Sequence, residues 1–515
     1  MRRTIRVVLL TAVLVAAVPA PAGAGTGGSG AGIAAALQDG TAALADFNGD
    51  GIDDLVVGVP GENIGGTADA GVVDVIYGSE SGLPDGGRDQ LTQALPEAGD
   101  LFGAAVATGD FNGDIFTDLA VGVPGENVGA IADAGAVEVF YGGGGGLPSV
   151  GDQLLRQGAN GMAGTAEAGD QFGAALASGL VNTGDEAELA VGAPGEDVGT
   201  IGGAGAVSLV NGGGSGLLGS GNVLITQANA EPGDAFGAAV AVGDLTPGGL
   251  PTDPQDLAVG APGENVGSAA DAGAVTVIDS ANDGSGLPAG SAQDLYFQGS
   301  GGVPGSSETG DAFGAALAAG NFGSGGVDLA VGAPGEDIGA AADAGAAVHL
   351  VAPGFHLLIT QSGFGGASEA GDLFGFALGA ADFDGNNADN LVIGAPGEDL
   401  GGVADAGSVN SLCGFDGLLE SCSPAILTQG NPEAGDAFGA ALTPGNFDGN
   451  ELPDLAVGAP GETVAGRPDA GAADARDGDA GGLPADPDEP LYFQGNAGVP
   501  GTAETGDVFA NALSA

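Results

Sequence analysis

The residues best suited to chemistry are oxygen-bearing side chains that recur at close spacing in one short loop. Residues 46–54 read D-F-N-G-D-G-I-D-D, which contributes Asp46, Asn48, Asp50 and Asp54. Oxygen ligands held by a tight loop favour calcium over zinc or copper, and Gly51 permits the sharp turn. The alternative interpretation is a hairpin turn rich in Asp and Asn that holds no metal.

Similar loops recur along the chain, but not all of them keep the candidate ligands. Position 12 of the first two loops is Val57 or Val121 instead of Glu, and strands flank the loops, which excludes a helix-flanked EF-hand. Three later copies, near Leu180, Pro247 and residues 323–326, have lost the ligands and are expected to be metal-free. In the second copy Ile115 replaces the loop glycine. The candidate ligands of the other copies are Asp110, Asn112, Asp114 and Asp118, then Asp382, Asp384, Asn386 and Asn390, and finally Asn446, Asp448, Asn450 and Asp454.

Each loop lies inside a larger repeat that ends its second apolar segment on Pro-Gly-Glu. The proline of that motif falls at 60, 124, 194, 262, 334, 396 and 460, so the seven repeats are 62 to 72 residues apart. The second repeat shows four short apolar runs, at 102–107, 119–123, 134–141 and 153–157, separated by Gly, Pro and Asn turns. This pattern predicts an antiparallel four-stranded meander. Packing such sheets radially buries both their faces, which predicts an all-β, seven-bladed β-propeller.

The motif set resembles a known family of repeats. Phe-Gly opens the first strand at 102, 172, 236, 313, 374 and 438, an acidic hairpin loop follows, and Gly192-Ala193-Pro194 shows the Gly-Ala-Pro ending. These features are similar to FG-GAP repeats, which build the propeller of integrin alpha subunits, and the likeness extends over residues 40–515. It implies a calcium ion in each intact hairpin loop and phenylalanines packed between blades. It also implies that main-chain carbonyls complete the ligand sets at Ile52, Phe116, Ala388 and Leu452.

The two ends of the chain carry their own signals. Three arginines, the apolar run at 7–18 and Ala22-Gly23-Ala24 predict a signal peptide at 1–24 and hence a secreted protein. Residues 25–40 are expected to be a flexible Gly/Ser/Ala leader, and 41–515 the propeller. The first repeat lacks the start of its inner strand, and residues 504–515 supply a matching segment. The C-terminal segment is therefore expected to close the ring as a strand of the first blade.

Charge and cysteine content restrict the possible partners. The chain has no lysine, 68 acidic residues and a formal net charge of −61, which excludes nucleic acid and anionic membranes as partners. We expect a monomer without a membrane span that binds an extracellular protein or glycan, and the acidity suits a salty medium. Cys413 and Cys422 lie on successive predicted strands, where an exported protein can form a disulfide. Two free thiols are the alternative.

A second acidic set follows the Pro-Gly-Glu motif. Its glutamates at 62, 126, 264, 336, 398 and 462 are each followed seven residues later by an aspartate, except in the third repeat, where Gly203 stands instead. We expect these side chains, and the Glu97/Asp100 series, to cap turns. The other interpretation is a carboxylate ring that binds cations or a basic partner.

Function is the least determined property of the sequence. His349 and His356 lie in no catalytic spacing and are expected on the surface of strands. The leading interpretation is a calcium-binding module for ligand binding or adhesion, not an enzyme. The alternatives are a hydrolase that cleaves glycans or phosphoesters with rim carboxylates, and a structural exoprotein without a single ligand.

Overall fold

The computed structural model describes residues 45–515 except 84–86, 149–150, 152, 183, 220, 247–253, 281–286, 288–290, 324–325, 352–354, 416–417, 451, 485–490 and 497. The predicted signal peptide and leader lie outside these described residues. Within them, regular structure is almost wholly strand, with one 3₁₀ turn at Gln361–Gly363. The described part of the chain contains no helix that is long and apolar enough to cross a bilayer.

Twenty-seven strands follow one another in the described part of the chain. They are β1 (Leu55–Val59), β2 (Val72–Ile76), β3 (Arg88–Leu91), β4 (Val106–Gly109), β5 (Asp118–Val123), β6 (Ala136–Phe140), β7 (Gln153–Leu155), β8 (Ala175–Gly179), β9 (Glu188–Ala193), β10 (Ala206–Val210), β11 (Val223–Ile225), β12 (Ala239–Gly243), β13 (Asp256–Ala261), β14 (Ala274–Ile278), β15 (Gln293–Tyr296), β16 (Ala316–Gly320), β17 (Asp328–Ala333), β18 (Ala346–Val351), β19 (Phe355–Ile359), β20 (Leu378–Ala381), β21 (Asn390–Ala395), β22 (Ser408–Phe415), β23 (Leu418–Leu427), β24 (Ala441–Gly445), β25 (Asp454–Ala459), β26 (Ala472–Arg476) and β27 (Ala512–Ser514).

These strands form seven small antiparallel sheets, which we number as blades 1 to 7. Blades 2 to 6 each use four consecutive strands, from β4–β7 to β20–β23. Blade 1 has the order β27-β1-β2-β3, and blade 7 has β24-β25-β26. The innermost strand of every blade contacts the innermost strand of the next, from β4 and β8 round to β24 and β27. The structure confirms the predicted seven-bladed propeller.

Close contacts between blades explain why the glycine of the Phe-Gly motif and a glycine in the second strand recur together. Gly122 lies in β5, and a Cβ atom placed on it would stand 2.0 Å from the carbonyl oxygen of Gly173 in the next blade. A Cβ atom placed on Gly192 would likewise stand 2.0 Å from the carbonyl oxygen of Gly237. No side chain fits at either position, so glycine is required for the close approach of neighbouring blades.

The core lies between blades. All six phenylalanines of the Phe-Gly motif are buried, and Phe509 takes the corresponding place before β27. Phe172 packs in one apolar cluster with Val137 of blade 2 and Leu176 of blade 3. Burial of a phenylalanine contributes roughly 3 kcal/mol through its apolar surface. The residues predicted to pack between blades therefore form the main apolar contacts of the ring.

The C-terminal strand occupies the inner position of blade 1. Leu513 pairs with Val57 in β1, as Val106 pairs with Val121 in blade 2. Ala515 then corresponds to Thr108, and Ala45 corresponds to Gly109. The inner edge of blade 1 is thus built from both ends of the described chain.

Blade 7 departs from the expected pattern at its outer edge. The sequence at 471–487 shows the third-strand pattern only weakly. The structure nevertheless contains β26 there, paired with β25. Among the described residues, the outer edge of this blade shows a bridge between Ala473 and Tyr492. Tyr492 lies in the sequence Leu-Tyr-Phe-Gln-Gly at 491–495. The identical sequence at 295–299 in blade 4 contributes to the regular strand β15.

Candidate metal site

The hairpin loop between the inner strand and β1 is organised by its acidic side chains. Asp46 accepts the N–H groups of Gly49, Asp50 and Gly51 at 2.7, 3.1 and 2.8 Å. Asn48 accepts the Asp50 N–H at 2.9 Å, and Asp50 accepts the Ile52 N–H at 3.0 Å. These bonds hold the carboxylate and amide oxygens around a loop of only a few residues. The arrangement suits a hard cation, and it also satisfies the loop backbone by itself.

The ninth loop residue has a structural role that the sequence did not reveal. Asp54 is buried and accepts the N–H groups of Phe47 and Gly78 at 2.9 and 3.0 Å. Burial raises the pKa of Asp54 to about 8, although these two bonds oppose the rise. An acceptor stands at this position in every blade, including those without loop ligands: Asp54, Asp118, Glu188, Asp256, Asp328, Asn390 and Asp454. This side chain therefore supports the hairpin whether or not a metal binds.

The loop of blade 2 repeats the geometry of blade 1 with one strained residue. Asp110 accepts the N–H groups of Gly113 and Ile115 at 2.7 and 3.0 Å, and Asn112 accepts that of Asp114 at 2.8 Å. Asp118 accepts the N–H of Phe111 at 2.8 Å. Ile115 has φ +75°, which is unfavourable for a β-branched side chain, whereas Gly51 has φ +88° in blade 1.

The seventh loop residue also keeps one geometry in all four loops. Its N–H group donates to the side-chain oxygen of the fifth residue at 2.6 to 3.0 Å. The residues expected to contribute carbonyl oxygens stand at this position: Ile52, Phe116, Ala388 and Leu452.

The loop of blade 6 brings two carboxyl groups together. Asp382 accepts the N–H groups of Asn386 and Asn387 at 2.9 and 2.7 Å. Burial and a hydrogen bond with Asp382 raise the pKa of Asp384. Asn390 is the ninth residue, and its Oδ1 accepts the Phe383 N–H at 2.9 Å.

Blade 7 has the closest cluster of carboxylates. Oxygens of Asp448, Asp454 and Asp477 lie within 4.8 Å of one another, the one such group of three among the described residues. Burial raises the pKa of Asp454 to about 8, and the charges of Asp448 and Asp477 add to this effect. Asn446 Oδ1, in the same loop, is buried without a hydrogen-bond partner. These oxygens fit a hard divalent cation. The loop pattern missed Asp477, because it follows β26 and lies outside the loop.

Blades 3, 4 and 5 stabilise the same hairpin without the acidic loop. Glu188 accepts the N–H of Val181 at 2.9 Å, and Asp256 accepts that of Ser280 at 2.8 Å. In blade 5, Asp328 Oδ2 lies 3.1 Å from His349 Nε2, and the His349 ring packs edge-on against Phe322. The prediction that His349 lies at the surface is wrong, because this pairing buries the imidazole. His356 is half-buried and stacks edge-on with Tyr296.

The Pro-Gly-Glu glutamates join neighbouring blades. In six junctions a glutamine that follows the outer strand donates its Nε2–H to the glutamate of the next blade at 2.5 to 2.8 Å: Gln93 to Glu126, Gln157 to Glu196, Gln227 to Glu264, Gln298 to Glu336, Gln361 to Glu398 and Gln429 to Glu462. The prediction that these glutamates cap turns is wrong. At the ring closure, burial raises the pKa of Glu62 to about 7. A hydrogen bond with Gln494 opposes this rise.

The aspartates seven residues later do not cap turns either. Asp69 and its five equivalents are exposed and have φ between +50° and +54°. Aspartate and glycine tolerate this left-handed conformation, which explains why Gly203 replaces the aspartate in blade 3. The cap is the side chain after the glutamate, since Asn127 Oδ1 accepts the Asp133 N–H at 3.2 Å.

The Glu97/Asp100 series is the one set that caps as predicted. Asp100 accepts the N–H of Glu97 at 2.5 Å, and the equivalent bond recurs before every inner strand, from Asp170 to Asp507. Burial raises the pKa of Glu196 to about 7, and the charge of Asp170 adds to the rise. The two carboxyl groups therefore stand near each other at the junction of blades 2 and 3.

Blade 6 carries the longest hairpin, formed by β22 and β23. Cys413 and Cys422 are joined across it by a disulfide bond. The disulfide joins β22 and β23, the two outer strands of blade 6. The side chain of Asn390, at the start of β21, approaches Cys422 Sγ at 3.6 Å.

The two ends of the propeller differ in uniformity. Antiparallel order places the acidic loops and the β2–β3-type connections at one end, which we call the hairpin face. These connections vary in length and sequence from blade to blade. The opposite end carries the nearly identical Pro-Gly-Glu turns and Asp100-type loops. The variable connections therefore share one end of the propeller with the acidic loops.

Two cavities lie between blades. One of about 730 Å³ opens on the hairpin face between blades 2 and 3 and is lined by Asn112, Asp114, Tyr141 and Leu218, among others. The other, of about 670 Å³, lies between blades 3 and 4 against apolar residues and Gln293. Neither contains the convergent carboxylate pair that a glycosidase requires.

Comparison with known proteins agrees with this architecture. The model of the FG-GAP repeat matches residues 40–76, 102–140 and 438–474. Phosphatidylinositol-glycan-specific phospholipase D from Mus musculus is 42% identical over 102 residues, and the Homo sapiens protein is 40% identical over 104. Each match covers 19% of this chain and 12% of the relative. The chain therefore contains FG-GAP repeats, and its seven sheets form a seven-bladed propeller.

A solved structure shows a much weaker likeness. The V. cholerae biofilm matrix protein Bap1 is 13% identical, with a TM-score of 0.28 over 78% of this chain and 84% of that one. This likeness is too low to carry a structural or functional argument.

Proposed function

We propose that this protein is an exported, calcium-binding propeller that acts as a ligand-binding module. The carboxylate cluster of blade 7 supports the metal, because oxygens of Asp448, Asp454 and Asp477 converge there, and the same loop contains the unpartnered amide oxygen of Asn446. Like charges this close repel unless a cation or protons neutralise them. Calcium is the hard, oxygen-seeking cation that extracellular modules bind at a dissociation constant of roughly 10⁻⁴ to 10⁻³ M.

Calcium in this loop would also strengthen the ring closure. The Asn446 N–H donates to Asp53 of blade 1 at 2.8 Å, and the Asp53 N–H donates to the Asn446 carbonyl at 3.0 Å. A cation that orders the blade 7 loop thereby orders a contact with blade 1. Loops 1, 2 and 6 carry similar ligand sets, and we extend the proposal to them.

The hairpin face is the proposed ligand-binding surface, for an extracellular protein or glycan. It combines the variable loops with the cavity between blades 2 and 3, near which Ile115 and Leu218 are exposed. Exposed apolar side chains beside polar loops are typical of recognition sites. The absence of a carboxylate pair in either described cavity favours binding over the hydrolase alternative.

The metal is tested by thermal melting with calcium and with chelator. Wild type should gain stability in calcium, whereas Asp448→Asn and Asp477→Asn should lose most of the gain at blade 7. Asp479→Asn is the matched control, because it removes one exposed charge from the same connection outside the cluster. Equal calcium gains in all four proteins would refute the blade 7 site.

Ligand binding is tested on glycan and protein arrays with and without calcium. Binding that requires calcium and falls with Leu218→Ala would support recognition through the hairpin face. Binding that is insensitive to Leu218 but falls when the Glu97-type loops are changed would place recognition on the uniform face.

A further inference from the structure

Each blade junction carries a buried set of three acceptor side chains. Between blades 2 and 3, Gln157 donates to Glu196 Oε2 at 2.6 Å, and Asp170 lies beside them. Between blades 3 and 4, Gln227 donates to Glu264 Oε2 at 2.7 Å, and Asp234 stands in the corresponding place. The six side chains are between 0% and 9% exposed, so bulk water does not satisfy them.

Two oxygens of each set have no hydrogen-bond partner. They are Gln157 Oε1 and Asp170 Oδ1 in the first junction, and Gln227 Oε1 and Asp234 Oδ1 in the second. Each of these glutamine oxygens belongs to the amide group whose nitrogen donates to the glutamate of the same set. A buried acceptor without a donor is costly, and a native protein normally satisfies it with a donor or an ion.

At another junction a cation from the chain reaches the glutamate, although Gln93 Oε1 and Asp100 Oδ1 still have no hydrogen-bond partner there. Between blades 1 and 2, Arg156 Nη2 contacts Glu126 Oε1 at 2.9 Å, so a cation from the chain reaches the same glutamate position. The residue equivalent to Arg156 is Thr226 in blade 3 and Phe297 in blade 4. Blades 3 and 4 contain no Lys, Arg or His, so neither Glu196 nor Glu264 has a cation from its own blade, as Glu126 has in Arg156.

We propose that the junctions between blades 2 and 3 and between blades 3 and 4 each bind a hard divalent cation. The ligands are Glu196, Asp170 and Gln157 in the first, and Glu264, Asp234 and Gln227 in the second. Two carboxylates balance a divalent charge, and the amide oxygen adds a neutral ligand of the type that calcium accepts. The cation joins the outer strand of one blade to the turn of the next.

These sites are independent of the proposed calcium loops. Blades 3 and 4 have lost the loop ligands, and their hairpins close on Glu188 and Asp256 instead. The junction sites also lie at the opposite end of the propeller from the hairpin loops. A local measurement can therefore separate the two kinds of site.

Hydrogen–deuterium exchange resolved to peptides provides that measurement, with calcium chloride against sodium chloride of equal ionic strength. With calcium at about ten times its dissociation constant, mass action should slow exchange through local opening by about tenfold. We expect this in the turn at 194–205, whose Gly205 N–H bonds to the Glu196 carbonyl at 2.9 Å. Glu196→Gln should abolish the response.

Thr226→Arg tests the same site by supplying a cation. Its arginine should reach Glu196 as Arg156 reaches Glu126, because Thr226 borders the 670 Å³ cavity. The turn should then exchange slowly even with chelator and show no further calcium response. An unchanged wild-type turn in calcium, or a Glu196→Gln turn that responds like wild type, would overturn the proposal. The loop at 446–454 reports separately on blade 7.

Discussion

Two arcs of the ring solve the same structural problem in different ways. Blades 6, 7, 1 and 2 carry acidic hairpin loops, and blades 7, 1 and 2 contain all four arginines that follow the predicted signal peptide. Blades 3, 4 and 5 have neither. Both arcs keep a buried acceptor at the ninth loop position, as Asp54 and Glu188 show. The hairpin thus requires the acceptor, and the metal ligands are an addition to it.

The location of the addition follows from the ring closure. The two ends of the chain meet in blade 1, where β27 pairs with β1 over only three residues. A closed ring has no covalent bond at this point, so other interactions must oppose its opening. The cations proposed for the hairpin loops, the Asn446–Asp53 contact and the disulfide of blade 6 all lie in the closing arc.

Deleting residues 504–515 should produce the largest effect. The deletion removes buried Phe509 and Leu513 and exposes the edge of β1. Loss of one buried Phe or Leu costs about 2 to 5 kcal/mol, so the combined loss should exceed about 5 kcal/mol. Melting should shift sharply or lose cooperativity. An unchanged melt would mean that β27 does not hold the ring, and Glu504→Gln serves as the exposed control.

Separating the ninth acid from the loop ligands should give the next largest effect. Asp54→Ala leaves the N–H groups of Phe47 and Gly78 without a partner and should cost about 3 kcal/mol in chelator. The loss should be larger in calcium, because Asp54 also belongs to the proposed ligand set. Asp50→Ala should reduce stability only in calcium, because Asp50 is exposed and bonds within the loop. Urea unfolding under both conditions measures this. Equal losses for Asp50→Ala under both conditions would argue against a metal in blade 1.

The sequence predicts those parts that depend on local pattern. Seven repeats, four strands per repeat and the buried phenylalanines follow from periodicity and motif spacing. The contacts of Glu126 do not, because its partner Gln93 is 33 residues away in another blade. His349 was misplaced for the same reason, since its partner Asp328 lies on a neighbouring strand. A signal was available at Gly203, where glycine in place of aspartate indicated a left-handed residue.

The stability of the arc formed by blades 3, 4 and 5 should depend on pH through Glu188. Burial raises the pKa of Glu188 from 4.5 to about 7, so the folded state holds its proton more tightly than the unfolded state does. The stabilisation is complete below pH 4.5 and is lost as pH rises through 7. The shift corresponds to at most about 3 kcal/mol.

Glu188→Gln should remove that pH dependence. The variant should match wild type near pH 4.5 and exceed its unfolding free energy near pH 8, with the difference measured by urea unfolding at each pH. The difference between the two proteins isolates Glu188 from the other buried carboxyls. Parallel pH profiles would show that Glu188 titrates normally in the folded protein.

The smallest predicted effect concerns a strained residue in the loop of blade 2. Ile115 has φ +75° at the position that Gly51 occupies in blade 1. Ile115→Gly relieves this strain and should raise stability by about 1 kcal/mol in calcium, after the greater chain entropy of glycine is counted. Gly51→Ile should have the opposite effect in blade 1. A loss of stability in Ile115→Gly would mean that the exposed isoleucine makes a contact worth more than its strain, and Leu218 across the cavity is the first partner to test.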